Sequence, residues 1–272
     1  MTGLMHERIS VNNLCFPGAP LPTDIERWRS LGARRIGIQT AKMKVEGWDP
    51  YVERLRGSGF DVETIVHLNP NRWDDDVQVE AFTNEVLRTL AAGKVLGART
   101  VYTTTGARGT LTWEETARRF CAAIAPCAEA ARRAGIELLV EPAPTLYADL
   151  YFTHTLRDAV QLAEQAGVGV VIDLFSCWTE AQLRESIERA MPRCHLVQVG
   201  DYVIGDRALP CRAVPGDGTI PIARIVGWIL EAGYRGSFDL ELMGPRIDQE
   251  GHCEAVRRSA EWLGELLIRL GA

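Results

Sequence analysis

The sequence predicts an α/β fold, a single closed (β/α)8 TIM barrel over residues 1–272, and three observations carry that prediction. Strand-like apolar runs and helix-like segments alternate about eight times along the chain. The dipeptides Leu31-Gly32, Leu96-Gly97, Ala134-Gly135, Ala166-Gly167 and Ala232-Gly233 each stand just ahead of an apolar run. A glycine there supplies the left-handed residue that ends a helix at no steric cost. Finally, no G-x-G-x-x-G follows the first run, where a doubly wound dinucleotide fold would carry it.

The elements follow in order. Strands are expected near Arg8–Asn13, Arg35–Gln39, Asp61–His67, Thr100–Thr104, Ile136–Glu141, Gly169–Asp173, His195–Val199 and Ser237–Glu241. Each is a short run rich in β-branched and other apolar residues, as strands buried on both faces require. Helices are expected near Pro22–Leu31, Asp49–Gly57, Asp75–Val95, Trp113–Arg133, Thr155–Gln165, Glu180–Ala190, Ile220–Ala232 and Cys253–Leu270. Thr23 with Glu26, Thr112 with Glu115 and Thr179 with Gln182 fit the capping-box spacing at three of their starts.

Composition excludes several classes. At 46% hydrophobic and 24% charged, the chain reads as a globular enzyme without a linker or low-complexity stretch. No apolar run approaches the roughly 20 residues that span a bilayer, so no membrane partner is expected. The opening MTGLMHERIS lacks the apolar core of a signal peptide, and a cytoplasmic location is the expectation. Seven scattered cysteines without a C-x-x-C pair suggest neither a disulfide framework nor a zinc ribbon. Cys177 lies just past Asp173, yet no base stands out beside it to make it a nucleophile. A net charge of −6 without a basic block argues against a nucleic-acid partner. A homo-oligomer is compatible with the sequence, although no self-complementary patch stands out.

The chemistry is concentrated at the ends of four runs. LLVEP stops on Glu141, VVIDL on Asp173, LVQVGD carries Gln198, and FDLEL carries Glu241. Buried strands have little use for carboxylates, and three ionised acids brought together would repel each other and lose hydration. In a barrel these residues belong to the C-terminal rim, where active sites lie. One divalent cation shared by Glu141, Asp173, Gln198 and Glu241 resolves the repulsion. An all-oxygen set is hard and suits Mn²⁺ or Mg²⁺.

With those residues in place, the chain resembles the xylose-isomerase-like TIM-barrel superfamily, of the sugar phosphate isomerase/epimerase and AP endonuclease family 2 type. The segments LLVEP, VGVVIDLF, VQVGD, VPGDGTIP and GYRGSFDLEL carry the resemblance, which covers essentially the whole chain. It implies a metal bound by Glu141, Asp173, the residue of the seventh strand and Glu241. It also implies that Glu141 and Glu241 are catalytic, as base and acid on opposite faces of the substrate. Two positions depart from the family pattern. Gln198 stands where relatives commonly have histidine, and Ser176 stands where a D-x-x-H segment would place another.

Around this constellation, His67, Arg212, Ser176 and Gln39 are expected to bind a small-molecule substrate from strand ends and following loops. Asn12 and Asn13 are further candidates at the same level, and Trp48, Trp73 and Trp178 could wall the pocket. The function expected is a metal-dependent isomerase or epimerase acting on a small hydroxy-keto compound through an enediolate. A dehydratase of the inosose-dehydratase kind is the alternative, since the same enediolate precedes loss of a β-hydroxyl. A catalytically silent barrel is a third reading, with Gln198 and Ser176 marking lost chemistry. With five histidines in all, a multi-zinc nuclease site cannot be assembled.

Overall fold

The eight apolar runs pair as parallel strands and close on themselves. In this computed structural model, residues 5–272 are described, so the expected domain start at residue 1 lies outside the described residues. In chain order the first seven strands are β1 (Ile9–Asn12), β2 (Arg35–Gln39), β3 (Asp61–His67), β4 (Thr100–Thr103), β5 (Glu137–Val140), β6 (Gly169–Asp173) and β7 (Cys194–Val199). Two short strands follow, β8 (Asp201–Tyr202) and β9 (Arg212–Ala213), before β10 (Phe238–Leu240). The barrel runs β1-β10-β7-β6-β5-β4-β3-β2, while β8 and β9 form a separate antiparallel pair. The fold is therefore the closed, eight-stranded parallel barrel expected.

Eleven α-helices cover the barrel among the described residues. They are α1 (Leu21–Ser30), α2 (Thr40–Glu46), α3 (Trp48–Arg56), α4 (Asp76–Leu96), α5 (Trp113–Ala134), α6 (Leu156–Ala166), α7 (Leu174–Cys177), α8 (Leu183–Ala190), α9 (Ile222–Glu231), α10 (Pro245–Glu250) and α11 (His252–Arg269). Three of these, α2, α7 and α10, are additions to the sequence expectation, each inserted directly after a strand or a loop at the rim. Of the three expected capping boxes, only that of Thr112 and Glu115 forms. Helix α1 starts earlier, with Pro20 at its cap, and α8 starts later, from Gln182 in a left-handed conformation. Gly97, Gly135 and Gly167 do end α4, α5 and α6 in the left-handed region.

Two apolar layers hold the barrel. Val66, Tyr102, Leu139, Val171 and Leu196 pack on one another inside it, with Val66, Tyr102 and Leu139 in register, Val171 in register with Leu196, and a two-residue step between β5 and β6. A much larger cluster lies between strands and helices and includes Trp28, Phe82, Phe120 and Phe238, all fully buried. Because strand side chains alternate, the residue two beyond an inner-layer residue faces the mouth. Leu139 is followed by Glu141, Val171 by Asp173 and Leu196 by Gln198, which is how three of the four strand-end residues reach one place.

Candidate active site

Glu141, Asp173, Gln198 and Glu241 all lie at the C-terminal rim, and all four are buried. They are joined by a residue from β9 rather than facing open space. Arg212 donates from Nη1 and Nη2 to the two oxygens of Asp173 at 3.0 and 2.9 Å, a fork-to-fork pair. The same Nη2 also donates to Glu241 Oε1 at 3.0 Å. Phe175 lies beneath the guanidinium, its ring centroid 4.6 Å from Cζ. Burial alone would depress this guanidinium, but Asp173 and Glu241 outweigh that effect and keep it charged.

The remaining carboxylate oxygens are supplied by neighbours. Asp173 caps α7 through Phe175 N at 3.1 Å and accepts from Ser176 Oγ at 2.5 Å. Gln198 donates from Nε2 both to Tyr102 Oη, at 2.9 Å, and to Glu241 Oε2, while its Oε1 has no partner. Glu141 stands apart from the guanidinium and accepts from Tyr151 Oη at 2.8 Å. Burial, together with the charges of Glu241 and Asp173, raises the Glu141 carboxyl well above the ordinary range. Burial raises Glu241 as well, against the opposing pull of Arg212. The two glutamates therefore differ in surroundings: one beside a fixed cation, the other beside a phenol.

These groups border a cavity of about 250 Å³. Glu141, Asp173, Ser176, Arg212 and Glu241 form its polar side. The other walls are carbon-rich, from Leu14, Val66, Leu68, Tyr147, Leu150, Phe175, Pro210 and Met243. Sequence reasoning missed Tyr102 and Tyr151, the two phenols that serve the glutamates. The spacing of Tyr147 and Tyr151 in the segment after β5 was the available signal.

Several expected contacts are corrected. His67 points out of the barrel, with Nδ1 3.2 Å from Thr89 Oγ1 on α4 and its ring edge-on to Phe82. The reason is strand alternation: Val66 takes the inward position and His67 the outward one. Gln39 sits at the start of α2 and is not among the cavity walls. Asn12 is spent on Asp239, and Asn13 on Asp24 and Tyr51. Trp73 is buried against Phe82 and Phe120, Trp48 stacks on Arg88, and Trp178 lies by Tyr202. Ser176 and Arg212 do line the cavity. Cys177 is buried, and burial pushes its thiol well up, which removes it as a nucleophile.

The expected divalent ion, Mn²⁺ or Mg²⁺, does not fit this arrangement. Asp173 and Glu241 spend oxygens on a guanidinium lodged between them, and Gln198 turns an amide N–H toward Glu241. Among the described residues, no group of three or more His, Cys, Asp or Glu side chains is spaced to hold a metal.

Comparison with known proteins places the geometry in context. The family described as xylose isomerase-like TIM barrel matches over residues 25–266. Among solved structures, a protein from Sinorhizobium meliloti 1021 superposes with a TM-score of 0.83 at 23% identity, covering 94% of this chain and 96% of that one. An IolI protein with a bound zinc atom superposes with a TM-score of 0.81 at 17% identity, over 96% and 98% of the two chains. A D-psicose 3-epimerase from Clostridium cellulolyticum, solved with D-tagatose, gives 0.77 at 17% identity over 95% and 98%. At these identities the structural likeness speaks for the fold. No curated protein matches the sequence significantly.

Proposed function

Because this chain belongs to the xylose isomerase-like TIM barrel family, we propose that it isomerises or epimerises a small hydroxy-keto compound by moving a proton at the carbon beside the carbonyl. The observation that carries this reading is the pair of buried glutamates, Glu141 and Glu241, on one cavity, one served by a charged donor and the other by a neutral one. Two carboxyls whose environments differ in this way divide the labour of acid and base. Glu241, raised by burial but opposed by the adjacent Arg212 guanidinium, is the one that takes the proton. Glu141, buried beside the charges of Glu241 and Asp173, is held as the acid against the opposing hydrogen bond from Tyr151, and returns it.

Removal of the α-proton places negative charge on the former carbonyl oxygen. Arg212, the one basic residue lining the cavity among the described residues, and Tyr151 border the space where that charge develops and stabilise it. The epimerase with D-tagatose among the structural relatives supports a hydroxy-ketone as the substrate class. The carbon-rich walls favour a compound with an apolar flank beside its oxygens.

The test is proton exchange. The full chain is incubated in D₂O with a panel of ketoses, inososes and short hydroxy-ketones, and recovered material is read by NMR. Deuterium at the carbon beside the carbonyl, in substrate or in an isomer, is the expected result. Loss of water instead identifies a dehydratase, and no exchange with any member refutes proton transfer.

A further inference from the structure

We propose that the Arg212 guanidinium is the resident cation of this site, standing where a divalent ion would have to sit, so that the pocket works without bound metal. The proposal concerns the cation, and only its substrate contact rests on the proton-transfer reading above. Three carboxylates brought to one rim need positive charge among them. Arg212 meets that need with three hydrogen bonds, two to Asp173 and one to Glu241, each 2.9–3.0 Å long. An arginine cannot shed its proton in a protein, so this charge is permanent. A dication entering the same space would meet it at close range.

The arginine is built in rather than draped over the opening. Its backbone N–H donates to Met243 O at 3.0 Å, and it sits in β9, paired with Tyr202 of β8. Gly200 leaves room for its stem, since a Cβ there would fall 3.3 Å from Arg212 Cδ and 3.0 Å from Glu241 O. Asp201 fixes the loop that follows by accepting from the N–H groups of Gly216, Gly218 and Ile220. Phe175 closes one face of the guanidinium.

Gln198 has adapted to the same cation. Beside a metal an amide would turn its oxygen inward, but here its Nε2 serves Glu241 and Tyr102. The carboxylate that Arg212 leaves half-satisfied is thereby completed by a neutral donor. Nε and the second hydrogen of Nη1 have no acceptor among the described residues, and they remain for a ligand oxygen. The ligand class that fits is a carbonyl compound whose oxygen is received by N–H groups and whose other end lies against Leu68, Pro210 and Met243.

The probe is Mn²⁺ itself, followed by electron paramagnetic resonance and by thermal melting of the full chain, with elemental analysis of the purified protein. The wild type should carry no stoichiometric metal, leave the free Mn²⁺ signal undiminished, and melt at one temperature with or without chelator. Arg212→Met, which keeps an unbranched apolar stem but removes the guanidinium and its charge, should take up Mn²⁺ and gain a metal-dependent rise in melting temperature. A wild type that holds one ion per chain, released by Glu141→Gln, overturns the proposal. So does a folded Arg212→Met variant that binds none. Should that variant fail to fold, the wild-type titration decides alone. None of these readings involves turnover, so a failed exchange experiment and a failed metal experiment are told apart.

Discussion

At the scale of single residues, the proposal sets a buried ion pair where a metal ion was expected. Asp173, Arg212 and Glu241 are each almost wholly buried, with Arg212 at 6% exposure. Breaking such a pair leaves the partners charged and unhydrated, at a cost of about 3–5 kcal/mol. Arg212→Ala should therefore lower unfolding stability by about that amount, measured by denaturant titration. Substituting Asp173→Asn should cost less, because the amide oxygen still accepts one of the two bonds. Equal losses in the two variants would show that the fork-to-fork pair is not what stabilises the rim.

At the scale of elements, β3 shows why some side chains could be read and others not. Its segment VETIVHL puts Val62, Thr64 and Val66 on one face and Glu63, Ile65 and His67 on the other, and in a strand covered on both sides polarity alone does not say which face lines the barrel. The end of the strand was legible and the facing of His67 was not. In the structure, burial lowers the His67 imidazole to about 4, with Glu85 opposing weakly. A histidine held neutral in the fold but titrating near 6.5 when unfolded contributes stability above that value. That contribution is lost as pH falls from about 6.5 through about 4, because the unfolded chain takes up the proton first. His67→Gln should accordingly flatten the acid limb of a stability profile between pH 6.5 and 4, with the wild type losing up to about 3 kcal/mol across it. A variant with an unchanged limb would assign the acid sensitivity elsewhere.

The same limit governs β8 and β9. Strands of two residues carry no periodic signature, so the position of Arg212 could be guessed only as a loop arginine near VPGDGTIP. By contrast, the runs ending on Glu141, Asp173 and Glu241 were legible, because a carboxylate at the end of a buried apolar run is costly unless it is used. The capping boxes were read from spacing alone, and only the one at Thr112 formed. The other two gave way to a helix start set by Pro20 and to a turn through Gln182. Tertiary packing, which local spacing does not contain, decided both.

At the scale of the whole molecule, the barrel does one thing for the chemistry. It brings side chains from β5, β6, β7 and β10, up to about a hundred residues apart in sequence, to one rim above a packed inner layer. No helix among the described residues is long and apolar enough to cross a membrane. What sequence supplied was the convergence of four residues. What it could not supply was the ion pairing among them, since that depended on an arginine carried in by a hairpin outside the repeating pattern.

The central claim, that buried glutamates at this rim move a proton without an added metal, meets its most direct test in solvent exchange by chelator-treated enzyme. With a hydroxy-ketone that turns over, deuterium wash-in should persist in the wild type and fall by about 10²–10⁴-fold in both Glu141→Gln and Glu241→Gln. Exchange that vanishes with chelator and returns with Mn²⁺, or that survives loss of either glutamate, would contradict it.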